Sequence, residues 1–377
     1  MRRGPGFWFW VATCLWSAGL TGCGADHGTD AVAGGPPEKG AANSGSKAAR
    51  AAKAARPQPR VELVWPTPNP AFDDGKDTSS FIQATASGEP RSGLFGSVRS
   101  GGRQFHEGLD LLATKRDKQG ESTDAVGAAL AGEVRYVSHS SGNSNYGRYV
   151  VLEHPQERPA VYTLYAHLRE VTPGLQPGRQ VAAGERLGTM GRSSSGAPIP
   201  KDRAHLHFEI GLRVTDRFAA WYSARGFGSA NPHGIWNGMN LVGLDPLAVF
   251  TLHRTGGFQS FEEVFASQPA AVVLQIARTT EPDFIRRYPE LLELRGASEA
   301  VATGGWEITV NATGLPFRWR RLAAAETAGW KPGEVRIQKV DATLLASNRG
   351  RKLAIQRGGR WVPDEDLNTL LEQLFSR

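Results

Sequence analysis

Short runs of alternating apolar and polar residues dominate the chain between about residues 62 and 250. Runs such as VRYVSH, RYVVLEH, AVYTLYAHL and HLHFEI are separated by clusters of Gly, Pro, Ser and Asn, with few helical periods among them. A period of two is typical of strands, and the residues between the runs favour turns. The pattern predicts a mainly β domain built as a compact antiparallel sheet or sandwich.

The pattern changes after residue 254, where FEEVF, AVVLQIA and DFIRRYPELLEL mix alternation with helical stretches. WEITVNATG predicts a strand, and DEDLNTLLEQLF predicts an amphipathic helix. Residues 255–377 are therefore predicted to form a small α+β appendage, whose role the sequence does not indicate. Four irregularly spaced tryptophans are expected in its core rather than on a sugar-binding surface: Trp306, Trp319, Trp330 and Trp361.

The first 60 residues predict export and a lipid anchor. Residues 1–22 begin with Met1, Arg2 and Arg3 and continue with the apolar FWFWVATCLWSAGL, which ends in LTGC at 20–23, a sequence that resembles the lipobox of bacterial lipoproteins. Cys23 would become the lipidated N-terminus, and its acyl chains together would give stable membrane attachment. Residues 23–60 are rich in Ala, Gly, Lys and Pro, so we expect a disordered tether.

Composition narrows the possible chemistry. The only cysteines are Cys14, within the predicted signal peptide, and Cys23. The mature chain would thus have neither a free thiol nor a disulfide, and its metal ligands or nucleophiles would come from other residue types. The net charge of +7 includes the basic signal and tether, and no nucleic-acid-binding motif accompanies it, so nucleic acid is not predicted as a partner.

Five residues in three short segments form a candidate metal centre. FHEGLD contains His106 and Asp110, TLYAHL contains His167, and AHLHFEI contains His205 and His207. Residues two or four apart in an extended segment lie on the same face, so each of the two pairs can converge on one point. Imidazole nitrogens and a carboxylate oxygen suit zinc, whose hydrolytic sites use three protein ligands. Three of the five residues could hold the metal while two remain free for proton transfer.

HEGLD also begins like the helical zinc motif in which Glu107 would be the general base. That motif requires a second histidine four residues after His106, where this chain has Asp110. Gly108 also weakens a helix at this point. The strand interpretation is therefore favoured.

In combination, these segments resemble the lysostaphin-like, M23-type zinc endopeptidases, also called the LytM family. The resemblance covers roughly residues 90–212, from GLFGSVRSGGRQFHEGLDLLA through AALAGEVRYVSHSSGNSNYGRYVVLEH to HLHFEI, with a closing LDPLAVF at 244–250. It implies a twisted antiparallel sheet with a groove across it. It also implies Zn²⁺ ligation by His106, Asp110 and His207, with His205 as the general base and His167 as the oxyanion partner. The sequence does not separate the roles of the last two.

Two segments depart from the family pattern within the predicted catalytic domain, residues 61–254. The family runs from a Ser-Thr-Gly turn almost directly into Pro-His-Leu-His, whereas here SSSG is followed by an insertion at about 197–204. A second insertion at about 213–241 carries Trp221, Tyr222, Phe227 and Trp236. These aromatic residues either pack onto the domain or contact substrate, and the sequence leaves both alternatives open.

The leading functional hypothesis is a zinc endopeptidase that hydrolyses peptide bonds in peptidoglycan stem peptides or cross-links. The alternative is a catalytically silent protein that binds peptidoglycan and regulates another wall hydrolase. A third possibility is an enzyme acting on glycine-rich or other exposed protein. Because Gly24 rather than Asp follows Cys23, resemblance to diderm lipoproteins predicts an outer-membrane location facing the periplasm.

Overall fold

Antiparallel strands form most of the N-terminal half of the protein. The computed structural model describes residues 61–84, 87–196, 199–256, 258–293 and 303–376. The strands of this half are β1 (Gly96–Arg99), β2 (Gln104–His106), β3 (Leu109–Leu112), β4 (Ala125–Gly127), β5 (Gly132–Ser138), β6 (Tyr149–Glu153), β7 (Tyr162–Ala166), β8 (Glu170–Val171), β9 (Gln180–Val181), β10 (Arg186–Thr189), β11 (His205–Arg213) and β12 (Leu241–Leu244). Two helices accompany them: α1 (Phe218–Arg225) and α2 (Pro246–Arg254).

The central sheet has the strand order β12-β11-β7-β6-β5-β9, and β3 also pairs with β11. β11 is long enough to pair with β3 along its first half and with β12 along its second half, while β7 lies on its other side. β1 and β2 form a separate hairpin, and β4, β10 and β8 form a small sheet. β11 is therefore the strand around which the N-terminal half is organised.

Both faces of β11 are buried, which explains its long apolar pattern. Leu206, Phe208, Ile210 and Leu212 enter the main hydrophobic core. On the opposite face, Tyr149, Tyr162 and Trp236 belong to a smaller cluster. Because side chains alternate along a strand, His205, His207 and Glu209 lie on the face opposite the main core.

The rest of the described chain, residues 258–293 and 303–376, is called the C-terminal half below and is an α+β arrangement, as the sequence predicts. Its sheet has the order β15-β14-β13-β16, and β17 and β18 form a hairpin. The strands are β13 (Val272–Ile276), β14 (Thr303–Val310), β15 (Pro316–Ala323), β16 (Val335–Val340), β17 (Ala354–Arg357) and β18 (Arg360–Pro363). The helices are α3 (Phe261–Ala266), α4 (Asp283–Arg287), α5 (Ala342–Ser347) and α6 (Glu365–Leu374).

The two halves share one hydrophobic core. Core residues of the β11 sheet and of the C-terminal sheet belong to the same cluster, and the described residues from 61 onward lie within one compact unit. The Arg213 backbone N–H donates to the Tyr288 hydroxyl at 3.0 Å, and the Arg287 guanidinium donates to the Arg213 carbonyl at 3.1 Å. Residue 254 thus marks a change of secondary structure inside a continuous core.

The segment after α5 also packs against the β1–β2 hairpin. The Ser97 backbone N–H donates to Asn348 Oδ1 at 3.0 Å, the Ser97 hydroxyl donates to the same oxygen, and the Gly350 N–H donates to Ser97 Oγ at 2.8 Å. A Cβ on Gly350 would lie 2.8 Å from the Phe105 nitrogen, so only glycine permits this approach. This contact fixes the hairpin that ends in His106.

The prediction of a mainly β, antiparallel fold is confirmed. The signal peptide at 1–22, Cys23 and the tether at 23–60 lie outside the described residues, as do residues 197 and 198 of the first insertion. No helix in the described part of the chain is long and apolar enough to cross a membrane. In the second insertion, Trp221 and Trp236 are buried, whereas Phe227 is exposed.

Of the four tryptophans predicted to lie in the core, Trp306 and Trp319 are buried, whereas Trp330 and Trp361 are only half-buried, so the prediction holds for the first two alone. Replacing Trp319 by Ala removes a buried indole, so we expect the free energy of unfolding to fall by about 3–5 kcal/mol. Trp330→Ala is the matched control, because that half-buried ring stacks under the Arg336 guanidinium, and about 1 kcal/mol should be lost. Urea denaturation measures both. Equal losses would contradict this description of the core.

Candidate metal centre and cleft

The register between β11 and β3 places His207 directly opposite Asp110. His106 ends β2 and reaches the same point from the neighbouring hairpin. Between His106 and Asp110 the chain passes very close to β11, since a Cβ on Gly108 would lie 2.3 Å from the Phe208 carbonyl oxygen. Gly108 is therefore required for close approach. The converging residues come from two strands and a hairpin end.

The side chains of His106, Asp110 and His207 meet in a buried triangle of ligand atoms. His106 Nε2 lies 3.0 Å from His207 Nδ1 and 3.1 Å from Asp110 Oδ1, and His207 Nδ1 lies 3.2 Å from that oxygen. Ligand atoms about 2.0–2.2 Å from a tetrahedral zinc are about 3.3 Å apart or slightly more. A movement of a few tenths of an ångström would thus make the triangle one face of a zinc tetrahedron.

The second nitrogen of each imidazole shows why this triangle favours a cation. His106 Nδ1 donates to the Leu94 carbonyl at 2.8 Å, and His207 Nε2 donates to Glu209 Oε1 at 2.9 Å. In the neutral tautomers that these acceptors impose, the inward nitrogens carry lone pairs. Three acceptors then face one another, and only a proton or a metal ion can satisfy them. The donor set fits zinc.

Glu209 holds His207 in place and is a residue that the sequence analysis missed. Its Oε1 accepts hydrogen bonds from His207 and from the Tyr146 hydroxyl, at 2.6 Å for the latter, and its Oε2 accepts from the Tyr162 hydroxyl at 2.8 Å. The side chain is 1% exposed. Carboxylates that bind the outer nitrogen of a ligand histidine orient its ring and raise its basicity. The HLHFE spacing, with Glu209 two residues after His207, is the signal that could have identified it.

Arg99 is a second residue that the sequence did not reveal. Its guanidinium donates to Asp110 Oδ2 at 2.5 Å, and its Nε donates to the Ser92 carbonyl at 3.1 Å. Because Oδ2 is occupied by Arg99, Oδ1 is the oxygen that faces the two histidines. A shift in register between Ser97 and Arg99 in the β1–β2 hairpin accompanies this placement, and the sequence pattern does not predict such an irregularity.

His167 and His205 lie beside the triangle, and each ring is hydrogen-bonded to a backbone carbonyl through Nδ1 rather than through Nε2. His167 Nδ1 donates to the Ser193 carbonyl at 2.8 Å, and His205 Nδ1 donates to the Arg203 carbonyl at 2.7 Å. The two ring centroids are 4.7 Å apart, and His205 Nε2 is 3.5 Å from Asp110 Oδ1. His167 has φ +60°, a conformation that costs about 1–3 kcal/mol and is concentrated at functional sites. The structure thus brings all five predicted residues together.

Burial and neighbouring charge set the protonation of these groups. Burial, together with the facing His205 and His207, holds the pKa of His167 well below its usual range, and burial also lowers the pKa of His205. Burial opposes ionisation of Asp110, but His106 and His205 outweigh it and hold its pKa well below the ordinary value. For His207, hydrogen bonds to Asp110 and Glu209 outweigh burial and raise the pKa to about 9. The metal-free site therefore holds a proton on His207, where a metal would bind.

The triangle forms part of the floor of a cleft of about 950 Å³. Ile199, Pro200 and Arg203 of the first insertion line it, as do His233 and Asn237–Met239 of the second. Residues Gly350 and Arg351 from the C-terminal half complete another part of its wall. Both insertions and the C-terminal half therefore shape access to the candidate metal centre.

Residues 104–217 match the model of Peptidase family M23. This segment is an M23 peptidase domain. It contains the candidate ligands and both additional histidines, so the resemblance inferred from the sequence is confirmed. A comparison with curated proteins found no match.

Several solved structures are similar to parts of the chain. A candidate glycyl-glycine endopeptidase, lytM, from Ruminococcus gnavus is 29% identical over 29% of this chain and 40% of its own, with a TM-score of 0.23. The lysostaphin catalytic domain from Staphylococcus simulans is 18% identical over 36% of this chain and 82% of its own, with a TM-score of 0.24. A zinc-containing peptidase from Vibrio cholerae is 23% identical over 40% of this chain and 37% of its own, with a TM-score of 0.26.

Replacing Glu209 by Gln should weaken zinc binding about ten- to a hundredfold, because the amide cannot accept from His207 and both tyrosines at once. Competition with a chromophoric chelator measures the change. Glu153→Gln is the matched control, since Glu153 lies on β6 and pairs with Arg135 away from the cleft. If both variants bound zinc as tightly as the wild type, Glu209 would have no part in orienting His207.

Zinc affinity should rise with pH, because the metal must displace the proton held by His207. The pKa of His207 in the metal-free protein is raised to about 9, so below that pH each metal bound releases about one proton from this residue. The apparent affinity should fall about tenfold from pH 8 to pH 7. Chelator competition, corrected for the chelator's own protonation, measures this slope. An affinity independent of pH over this range would contradict the assignment.

Proposed function

We propose that the protein is a zinc-dependent endopeptidase that hydrolyses peptide bonds in peptidoglycan stem peptides or cross-links. The observation that carries the proposal is the triangle of buried acceptors beside two further histidines, at the floor of an open cleft within an M23 domain. Such a set supplies ligands and proton carriers in one place, as hydrolysis of a peptide bond requires.

His106 Nε2, His207 Nδ1 and Asp110 Oδ1 would hold the zinc, with Leu94, Glu209 and Arg99 fixing their orientations. When bound, zinc supplies Lewis acidity and lowers the pKa of a bound water to about 7. His205 is neutral near neutral pH, because burial lowers its pKa, and its Nε2 carries the lone pair. That nitrogen can take the proton of the attacking water.

His167 can stabilise the oxyanion on the scissile carbonyl only as a proton donor. Its Nδ1 proton is committed to the Ser193 carbonyl, so Nε2 donates only after the imidazole has gained a second proton. His167 and His205 are adjacent, and a proton taken from water by one ring is available to the other. We therefore assign proton transfer to the pair, with His205 as the base and His167 as the donor.

The alternative is a silent peptidoglycan-binding regulator of another hydrolase. The presence of all five residues in one buried cluster supports the enzyme instead, because a purely binding role requires neither neutral histidine. A third possibility, cleavage of glycine-rich protein, uses the same site and differs only in what enters the cleft. Parallel digestion of sacculi and of a glycine-rich peptide distinguishes the two substrates.

We also propose that a lipid on Cys23 anchors the chain in the outer membrane, facing the periplasm, with residues 23–60 as the tether. The support is the LTGC sequence after the apolar segment and the composition of residues 24–60. A coil of this length can extend to several nanometres, which would let the M23 domain reach an adjacent layer of peptidoglycan.

His205→Ala and His167→Ala should each retain zinc and lower turnover of sacculi at least a hundredfold, because each removes a proton carrier and leaves the ligands intact. His106→Ala should lose zinc and turnover together. The measurements are metal content by emission spectrometry and released muropeptides by mass spectrometry, using the full chain in detergent. The positive control is a lysostaphin-like enzyme acting on sacculi that it can digest. If the zinc-loaded wild type released no peptides under the conditions in which this control works, the proposal would be refuted.

A further inference from the structure

The wall of the cleft carries an excess of positive charge. Among the described residues, those that line the cleft and are ionisable, histidine and tyrosine aside, are four arginines and two carboxylates: Arg99, Arg103, Arg203 and Arg351, with Glu107 and Asp110. Arg99 and Asp110 neutralise each other through their hydrogen bond. Three arginines therefore face the cleft with one carboxylate, before any metal adds its own charge.

The remaining arginines differ in how firmly they are held. Within the described part of the chain, the side chains of Arg103 and Arg203 have no hydrogen-bond or ion-pair partner, and Arg103 is exposed. Arg351 stacks on the Phe105 ring, with its guanidinium carbon 4.1 Å from the ring centroid. Its Nη2 lies 3.7 Å from Glu107 Oε1, beyond a direct hydrogen bond, and its side chain is 27% exposed. Guanidinium groups with unused donors suit a carboxylate, which they can bind in bidentate form.

Arg351 is placed in this wall by the fold of the C-terminal half. The turn from Asn348 to Arg351 is closed by the Arg351 N–H, which donates to the Asn348 carbonyl at 3.0 Å. Asn348 and Gly350 bond to Ser97 on the β1–β2 hairpin. Arg351 thereby lies over Phe105, next to the ligand His106, although it is far outside the segment that matches the M23 family. The stacking limits its motion, so little order is lost when a ligand binds.

We propose that Arg351 and Arg103, with Arg203 from the first insertion, bind a carboxylate of the peptide that occupies the cleft. The inference rests on the proposed function, because it concerns which peptides enter the same cleft. It makes the C-terminal half a determinant of substrate choice and favours anionic peptides over neutral glycine-rich ones. This carboxylate is either the C-terminal one of the peptide or a carboxylate that branches from an earlier residue of the peptide.

Binding to the metal-free full chain tests the inference separately from catalysis, because no zinc is then present to attract the carboxylate. Isothermal titration calorimetry would measure the affinity for a peptidoglycan stem tetrapeptide and for two derivatives of it. One derivative is amidated at its C-terminus, and the other is amidated at the carboxylates that branch from its earlier residues. One amidation should weaken binding about tenfold or more, and this identifies the carboxylate that is bound. Arg351→Gln and Arg103→Gln should each cause a comparable loss for the free tetrapeptide and little change for the sensitive derivative.

Arg349→Gln is the matched control, because Arg349 is exposed on the same turn and does not line the cleft. Arg103→Gln guards against misfolding, since that exposed side chain has no hydrogen bond or ion pair with another described residue. The inference would be overturned if the three peptides bound the wild type with equal affinity or did not bind it. It would also be overturned if the Arg351→Gln and Arg103→Gln variants bound the free tetrapeptide as tightly as the wild type does. Cleavage of sacculi by the zinc-loaded wild type would be unaffected by that outcome, so the proposed function is tested independently.

Discussion

The pairing of β11 with β3 is the constraint on which the candidate site depends. It sets His207 opposite Asp110 and leaves Leu206 and Phe208 in the main core on the other face. A slip of one residue would exchange the two faces of β11 and move both histidines of this strand into the core. The apolar packing that fixes the register therefore also fixes the positions of the candidate metal ligands. Stability and chemistry rest on the same strand.

The acceptors around the triangle turn this placement into a site for a cation. The Leu94 carbonyl and the Glu209 carboxylate each accept a hydrogen bond from the outer nitrogen of a histidine, and Arg99 donates one to Asp110 Oδ2. The inward atoms, His106 Nε2, His207 Nδ1 and Asp110 Oδ1, then each direct a lone pair into the same buried space. Such a group is costly to leave unsatisfied. In the metal-free protein a proton on His207 satisfies it, which links metal binding to pH.

Much of this arrangement could be predicted from the sequence. The alternation of HLHFEI identified a strand with two histidines on one face, and the joint occurrence of four histidines and one aspartate in this order identified the site. Arg99 could not be found in this way, because it reaches Asp110 through an irregular register in the β1–β2 hairpin. Arg351 could not be found either. Its place over Phe105 depends on contacts between residues about 250 positions apart, which no local pattern encodes.

The C-terminal half is accordingly part of the structure around the cleft. It shares the main core, bonds to the hairpin that ends in His106 and supplies Arg351 to the wall. The two insertions supply other parts of the same wall. The M23 domain provides the candidate ligands and the two additional histidines, and the segments outside or inserted into the family pattern line the cleft that leads to them.

X-ray absorption spectroscopy of the zinc-loaded full chain tests whether His106, Asp110 and His207 hold the metal. We expect a four-coordinate shell of nitrogen and oxygen at about 2.0–2.1 Å with scattering from two imidazoles. The spectrum should be unchanged in the His167→Ala and His205→Ala variants. A shell with three or more imidazoles, or one that changes in either variant, would contradict the assignment of His106, Asp110 and His207 as the ligands.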